Sequence, residues 1–247
     1  MGRGADPGAR KPVCTGPPVS REDEHVQPKI RMRREGHQDL PVLCWRFDEP
    51  LTVIASSPHG GGLALRRWIL NATVPASYGR RDPDRHLGKL GVSFGLPGKG
   101  VGLLTAVDVR HQQRAVEGDV AVVATVGVGK PVWAAVPAAE VMASAGQGVG
   151  TVNVVAFLPE RLTDAALVNA VATIAEAKAQ AFADLGLPGT GTATDAVCIV
   201  CPPDGRTHQF GGPRSVWGAR LARATHAAIV AGGRYEAAST IDECKRR

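Results

Sequence analysis

The stretch 164-DAALVNAVATIAEAKAQAFADLGLPGTGTATDAVCIVCP-202 joins an alanine-rich helix to a glycine, threonine and aspartate loop, and then to a strand of the buried type. Placed at about 100° per residue, Leu167, Val171, Ile174, Lys178, Phe182 and Leu185 fall on one stripe of the helix. Asn169, Thr173, Glu176 and Gln180 fall on the opposite stripe, and alanines fill the flanks, so neighbouring elements have room to pack on more than one side. Thr163 is placed to cap the helix, Asp164 suits the positive end of its dipole, and Gly186 with Pro188 ends it.

Lys178 interrupts the apolar stripe. Two readings follow: its methylenes cover the core while the ammonium reaches water, or the ammonium is buried against a carboxylate and available for chemistry. Glu176 reads as a solvated position or as a functional carboxylate on the stripe of Asn169. The loop 188-PGTGTATD-195 offers two glycines, three hydroxyls and a carboxylate. It is built either as a nest of backbone N–H groups for an anion or as a tight connection capped by threonines. It is not a dinucleotide fingerprint, because it follows a helix and precedes the strand Ala196 to Val200.

Outward from this unit, Val42 to Phe47 and Leu51 to Ser56 read as two short strands around Asp48-Glu49-Pro50. Gly60-Gly61-Gly62 reads as the opening of a helix carrying Leu65, Trp68, Ile69 and Leu70. Asp82-Pro83 begins another helix. Strands are expected at Val101 to Val107, Val120 to Val126 and Thr151 to Leu158, and a last helix from about Arg214 to Ala231, with Ala138 to Gly148 as an insertion. Strands and helices mix without strict alternation. The fold class expected is α+β: one domain, residues 41–235, with a mixed β-sheet of roughly six strands packed with helices. Residues 236–247 read as a flexible C-terminal tail.

The 247 residues are 44% hydrophobic and 21% charged, enough for one sizeable core. Residues 1–40 are rich in Gly, Pro and Arg with hardly an apolar cluster, and read as a disordered leader, or as a start placed too early if Met32 is the true first residue. They lack the apolar region of a signal peptide, and no run is long enough to span a bilayer, which gives a cytoplasmic, non-membrane reading. The net charge of +6 is partly peripheral, since residues 1–40 hold eight Lys/Arg against six Asp/Glu. No basic stripe with interleaved aromatics exists, so nucleic-acid binding is rejected. Trp45, Trp68, Trp133 and Trp217 suit core packing or stacking on a flat ring. Cys14, Cys44, Cys198, Cys201 and Cys244 do not make a disulfide framework. Cys198 and Cys201 turn to opposite faces of a strand, and metal is not expected.

The segments LVNAVAT (167–173), EAK (176–178), PGTGTATDAV (188–197) and 211-GGPRSVWGARLARA-224 resemble the adenosylcobinamide amidohydrolase family of corrinoid salvage. The likeness continues through 60-GGGLALRRWILNATVP-75, Tyr78, 82-DPDRHL-87, 102-GLLTAVDV-109, 124-ATVGVG-129 and 150-GTVNVV-155, covering about residues 42–232. Ala175 stands where the family pattern commonly has a threonine. The resemblance implies that the chain hydrolyses the amide between the corrin side chain and aminopropanol in adenosylcobinamide, giving adenosylcobyric acid and aminopropanol for cobalamin synthesis. The implied partner is a small-molecule corrinoid, with no separate cofactor; the residues leave oligomeric state open.

Amide hydrolysis needs a nucleophile, a proton acceptor, donors for the tetrahedral oxyanion and a proton for the leaving amine. The chain carries neither a G-x-S-x-G elbow nor an H-E-x-x-H helix. The catalytic candidates are therefore Glu176, Asp195, Lys178 and Thr192, with Asn71, Tyr78, His86, Asn153, Asn169 and Thr190 as substrate-binding candidates. In one scheme Glu176 or Asp195 activates water, loop amides with Asn169 or Asn153 hold the oxyanion, and Lys178 or His86 protonates the amine. In the other, Thr190 or Thr192 attacks, activated by Lys178. Glu176 and Lys178 point about 160° apart on one helix, so they do not share one pocket. The rival readings are a corrinoid-binding protein without hydrolysis and a hydrolase of another amide.

Overall fold

The run 42-VLCWRF-47 continues through Asp48, Glu49 and Pro50 into the next apolar segment, so the two short strands expected there are one strand, β2 (Gln38–Ala55). A register shift against its neighbour between Arg46 and Leu51 absorbs the polar residues. The computed structural model describes residues 26–137 and 150–245. The insertion expected at Ala138 to Gly148 lies outside them, as do residues 1–25 of the expected leader.

Residues 29–40 correct the leader reading, because β1 (Lys29–Glu35) pairs antiparallel with the first half of β2. The expected helix after Gly62 is also corrected: Gly62–Thr73 is β3, antiparallel to β2. Its first half is largely exposed and its second half is buried throughout, and a short continuous apolar run fits either element by periodicity alone. Helix α1 (Pro83–Ser93) starts at the expected proline and crosses over to β4 (Gly100–Thr105), which lies parallel to β3. A 3-10 turn at Val109–His111 leads to β5 (Gln113–Glu117) and β6 (Val120–Gly127).

The decisive helix-loop-strand stretch closes a second crossover. Strand β7 (Thr151–Phe157) and the two-residue β8 (Arg161–Leu162) precede α2 (Asp164–Asp184), which returns the chain to β9 (Ala196–Cys201), parallel to β7. Thr163 caps α2 by accepting a hydrogen bond from the Ala166 amide at 3.2 Å, and Gly186 follows its end at a φ of 68°. After β10 (Thr207–His208), α3 runs from Val216 to Lys245 and so takes in most of the expected flexible tail.

The mixed sheet has eight strands, in the order β4-β3-β2-β9-β7-β6-β5 with β1 on β2. Helices α2 and α3 cover one face over Val122, Val154, Leu167, Ile174, Phe182, Leu221 and Ile229. The other face buries Trp45, Ile69, Leu103, Val155 and Cys198, while α1 covers Trp68 and Leu70 with Leu87 and Leu90. Cys198 and Cys201 sit in different clusters, on opposite faces as their spacing requires. The sheet curls enough for Asn71 on β3 to donate a hydrogen bond to Thr125 on β6 at 3.0 Å. Strand ends from both halves thereby meet around one cleft. Among the described residues, no helix is long and apolar enough to cross a membrane.

Candidate functional site

The cleft has a volume of about 490 Å³. Tyr78 and Pro83 line it, with Ser56 and Ser57 at the end of β2, Thr105 of β4, Thr151 and Asn153 of β7, and Thr194 and Asp195 of the loop before β9. The α2-loop-β9 unit builds one wall because β9 lies parallel to β7, with Asn153 opposite Ala196. That register sets the loop carboxylate at the start of β7.

Asp195 is the centre of this wall. Lys178 donates to its Oδ2, and the Thr192 hydroxyl contacts its Oδ1. The backbone N–H groups of Thr192 and Val152 add bonds of 2.9 and 2.8 Å. The Lys178 and Asp195 side chains are only 17% and 10% exposed, so the ammonium is drawn into the loop and does not snorkel to water. With its oxygens used in this way, the carboxylate organises the loop. Gly191 lets the backbone pass beside the ion pair: a Cβ there would collide with the Lys178 ammonium and lie 2.5 Å from Asp195 Oδ2.

The threonines divide. Thr192 is buried, with its hydroxyl turned to Asp195 and to the Gly150 carbonyl at 2.7 Å. Thr190 lies away from the cleft lining and accepts a hydrogen bond from the Ala134 amide at 3.1 Å, while backbone bonds join Thr190 and Gly191 to Val132. Thr194 does line the cleft, and its hydroxyl is 2.7 Å from that of Thr151. If Thr194 donates to Thr151, the Thr151 proton is left for a ligand.

At the cleft floor, the Asn153 amide nitrogen donates to Asn71 Oδ1 at 2.9 Å and to the Leu104 carbonyl at 2.8 Å. Both partners are acceptors, which fixes the orientation of the Asn153 amide. Its Oδ1 is buried with no partner. Asn71 and Asn153 thus pin the curled sheet together under the cleft.

On the opposite side of the lining, the Tyr78 hydroxyl is 2.9 Å from His86 Nδ1, and the two rings stack with centroids 5.6 Å apart. His86 Nε2 is 3.6 Å from Glu35, which Arg33 holds at 2.9 Å. Burial makes the His86 imidazole harder to protonate than usual; Glu35 opposes this and Arg80 and Arg33 reinforce it. Burial likewise raises the Tyr78 pKa. Asp82 stands at the α1 N-cap without a side-chain cap, its carboxylate paired instead with Arg80 at 3.0 Å.

Of the ten candidates, Asp195, Lys178 and Thr192 meet in one cluster, and Asn71 and Asn153, and Tyr78 and His86, meet as pairs beside it. Glu176 and Asn169 are exposed on α2 and line none of the described clefts. Two residues outside the ten candidates join these groups: Thr151, which lines the cleft beside Thr194, and Glu35, which stands behind His86. Gly150-Thr151 at the entry to β7 was the signal for the first; Glu35 carried none.

A family model matches most of the chain. The model described as adenosylcobinamide amidohydrolase matches residues 24–240. The chain belongs to the adenosylcobinamide amidohydrolase family. A relative of that name from Halobacterium salinarum is 42% identical over 120 residues, 47% of this chain and 51% of the relative. The chain therefore matches about half the length of that family member. Another of the same name from Methanosarcina mazei is 29% identical over 186 residues, 72% of this chain and 88% of the relative. Among solved structures, the PH0078 protein from Pyrococcus horikoshii is similar at a TM-score of 0.36 and 13% identity, over 78% of this chain and 77% of that one.

Proposed function

We propose that this chain hydrolyses the amide between the corrin side chain and aminopropanol in adenosylcobinamide, releasing adenosylcobyric acid for corrinoid salvage and cobalamin synthesis in the cytoplasm. Family membership supports the substrate class. The observation that carries the reading is the convergence on one 490 Å³ cleft of the Thr151 and Thr194 hydroxyls, the clamped Asp195 loop and Tyr78 backed by His86. A cleft of this size takes a side chain and its amide while a larger ring system rests at the mouth.

In this reading Asp195 and Lys178 hold the loop rigid, and the Thr151–Thr194 pair donates to the amide carbonyl oxygen as negative charge develops there. Thr192 is spent within the loop, which disfavours the scheme in which it attacks the substrate. Asn153 and Asn71 support the floor. Glu176 is given no part in the chemistry, because it faces solvent away from the cleft.

Incubation of the purified chain with adenosylcobinamide, followed by chromatography and mass measurement, tests this. Adenosylcobyric acid forms with the wild type and with Glu176→Gln, and falls at least tenfold with Asp195→Asn. Binding without product would move the function to corrinoid capture, and turnover of a different amide in preference would change the substrate.

A further inference from the structure

The Asp195 carboxylate is engaged by the Lys178 ammonium and by the backbone N–H groups of Thr192 and Val152, which ties it to the loop and points to an acid–base group elsewhere in the cleft. We propose that Glu35, His86 and Tyr78 form a proton relay, with the Tyr78 hydroxyl touching the reacting atoms and His86 and Glu35 as positioning residues behind it. The proposal rests on the amide-hydrolase reading above.

Tyr78 is the member that lines the cleft, while His86 is buried behind it and Glu35 lies behind His86 on β1. The tautomer follows from the neighbours. His86 Nε2 faces a carboxylate 3.6 Å away, which favours a proton on Nε2. Nδ1 then has its lone pair free and accepts the Tyr78 O–H at 2.9 Å. The phenol oxygen consequently turns its own lone pairs outward. Arg33 fixes Glu35 through two guanidinium nitrogens, and it is fixed in turn on the Thr73 carbonyl at 2.8 Å.

The charged and titratable groups around the imidazole are Glu35 and Arg33 on β1, and Arg80, Asp82 and Tyr78 before α1. Burial with Arg33 and Arg80 keeps the resting imidazole neutral and able to accept a proton. Glu35 stabilises the imidazolium once it forms.

The steps balance. A water molecule gives a proton to Tyr78 Oη as the Tyr78 proton passes to His86 Nδ1, and the hydroxide oxygen bonds to the amide carbon. The tetrahedral intermediate then collapses. His86 returns its proton to Tyr78, the phenol proton passes to the departing nitrogen, and the C–N bond breaks. One water is consumed, its oxygen ending in the acid and its proton on the amine.

Two measurements test the relay. The first is long-range proton–nitrogen NMR of the His86 ring in the full chain without substrate. It is expected to show a neutral ring protonated on Nε2, and in Glu35→Gln the ring titrates at lower pH. The second is hydrolysis of adenosylcobinamide, in which Tyr78→Phe lowers kcat by roughly 100-fold with KM changed little, as loss of a general acid–base group does. Glu35→Gln moves the acid limb of the kcat/KM profile, and Glu35→Asp partly restores it. A proton on Nδ1, a titration indifferent to Glu35→Gln, or a Tyr78→Phe protein with full kcat overturns the relay. A wild-type chain that leaves adenosylcobinamide intact counts against the proposed reaction alone; the imidazole measurement still decides the relay, because it needs no substrate.

Discussion

The Lys178 ammonium and the Asp195 carboxylate meet across the loop between α2 and β9, and the bare backbone of Gly191 runs directly against both. Gly191→Ala is expected to force the pair apart and to destabilise the chain by about 3 kcal/mol, the scale of breaking a buried ion pair. Gly186→Ala is the contrast: a φ of 68° makes alanine strained there, but nothing lies within 4 Å of its Cβ, so the loss is about 1 kcal/mol. Urea unfolding of the two variants gives the comparison.

Asn71 carries two hydrogen bonds that hold the curled halves of the sheet together, one to Thr125 and one from Asn153. Asn71→Leu leaves both partners with fewer bonds in a buried site. It is expected to lower stability by roughly 2 kcal/mol, since the desolvation of the stranded groups is no longer offset. Thermal unfolding against the wild type checks this, and Thr125→Val should produce a smaller loss.

His86 makes stability depend on pH. Burial lowers its pKa below the ordinary 6.5, so the unfolded chain takes up a proton more readily than the folded one. The stabilisation is fully present above 6.5 and is lost as pH falls through the lower, folded-state value. Urea midpoints at about pH 7.5 and pH 5.5 should differ more for the wild type than for His86→Asn.

The contrast between what was legible and what was not follows these same residues. The helix, loop and strand around Lys178 and Asp195 could be read because the apolar stripe, the cap and the glycines each have one physical meaning. The snorkelling alternative for Lys178 left their meeting open, and the contact of its ammonium with Asp195 at a side-chain exposure of 17% decides against it. Strand β1 was hidden because its burial inverts its hydropathy: Ile30 and Met32 are 49% and 50% exposed, while Arg31, Arg33 and Glu35 turn inward. Arg31 and Arg33 are accommodated by the carbonyls of Phe94 and Thr73, which no local pattern announces. The start of β3 was misread as a helix because Leu65, Trp68 and Ile69 have helical spacing, and only its pairing with β2 and β4 fixes it as a strand.

Cys44, Cys198 and Cys201 are free and buried, and burial raises the pKa of each thiol. A thiol held neutral and out of water does not react. Peptide mapping after iodoacetamide treatment should find none of the three labelled in the folded chain and all three labelled in denaturant.

The proposed reaction is tested most directly by mixing the wild-type chain with adenosylcobinamide and following the corrinoid and the free amine together by chromatography and mass. Adenosylcobyric acid and aminopropanol appearing in equal amounts is the result expected. Adenosylcobinamide recovered intact, whether bound or not, would contradict it.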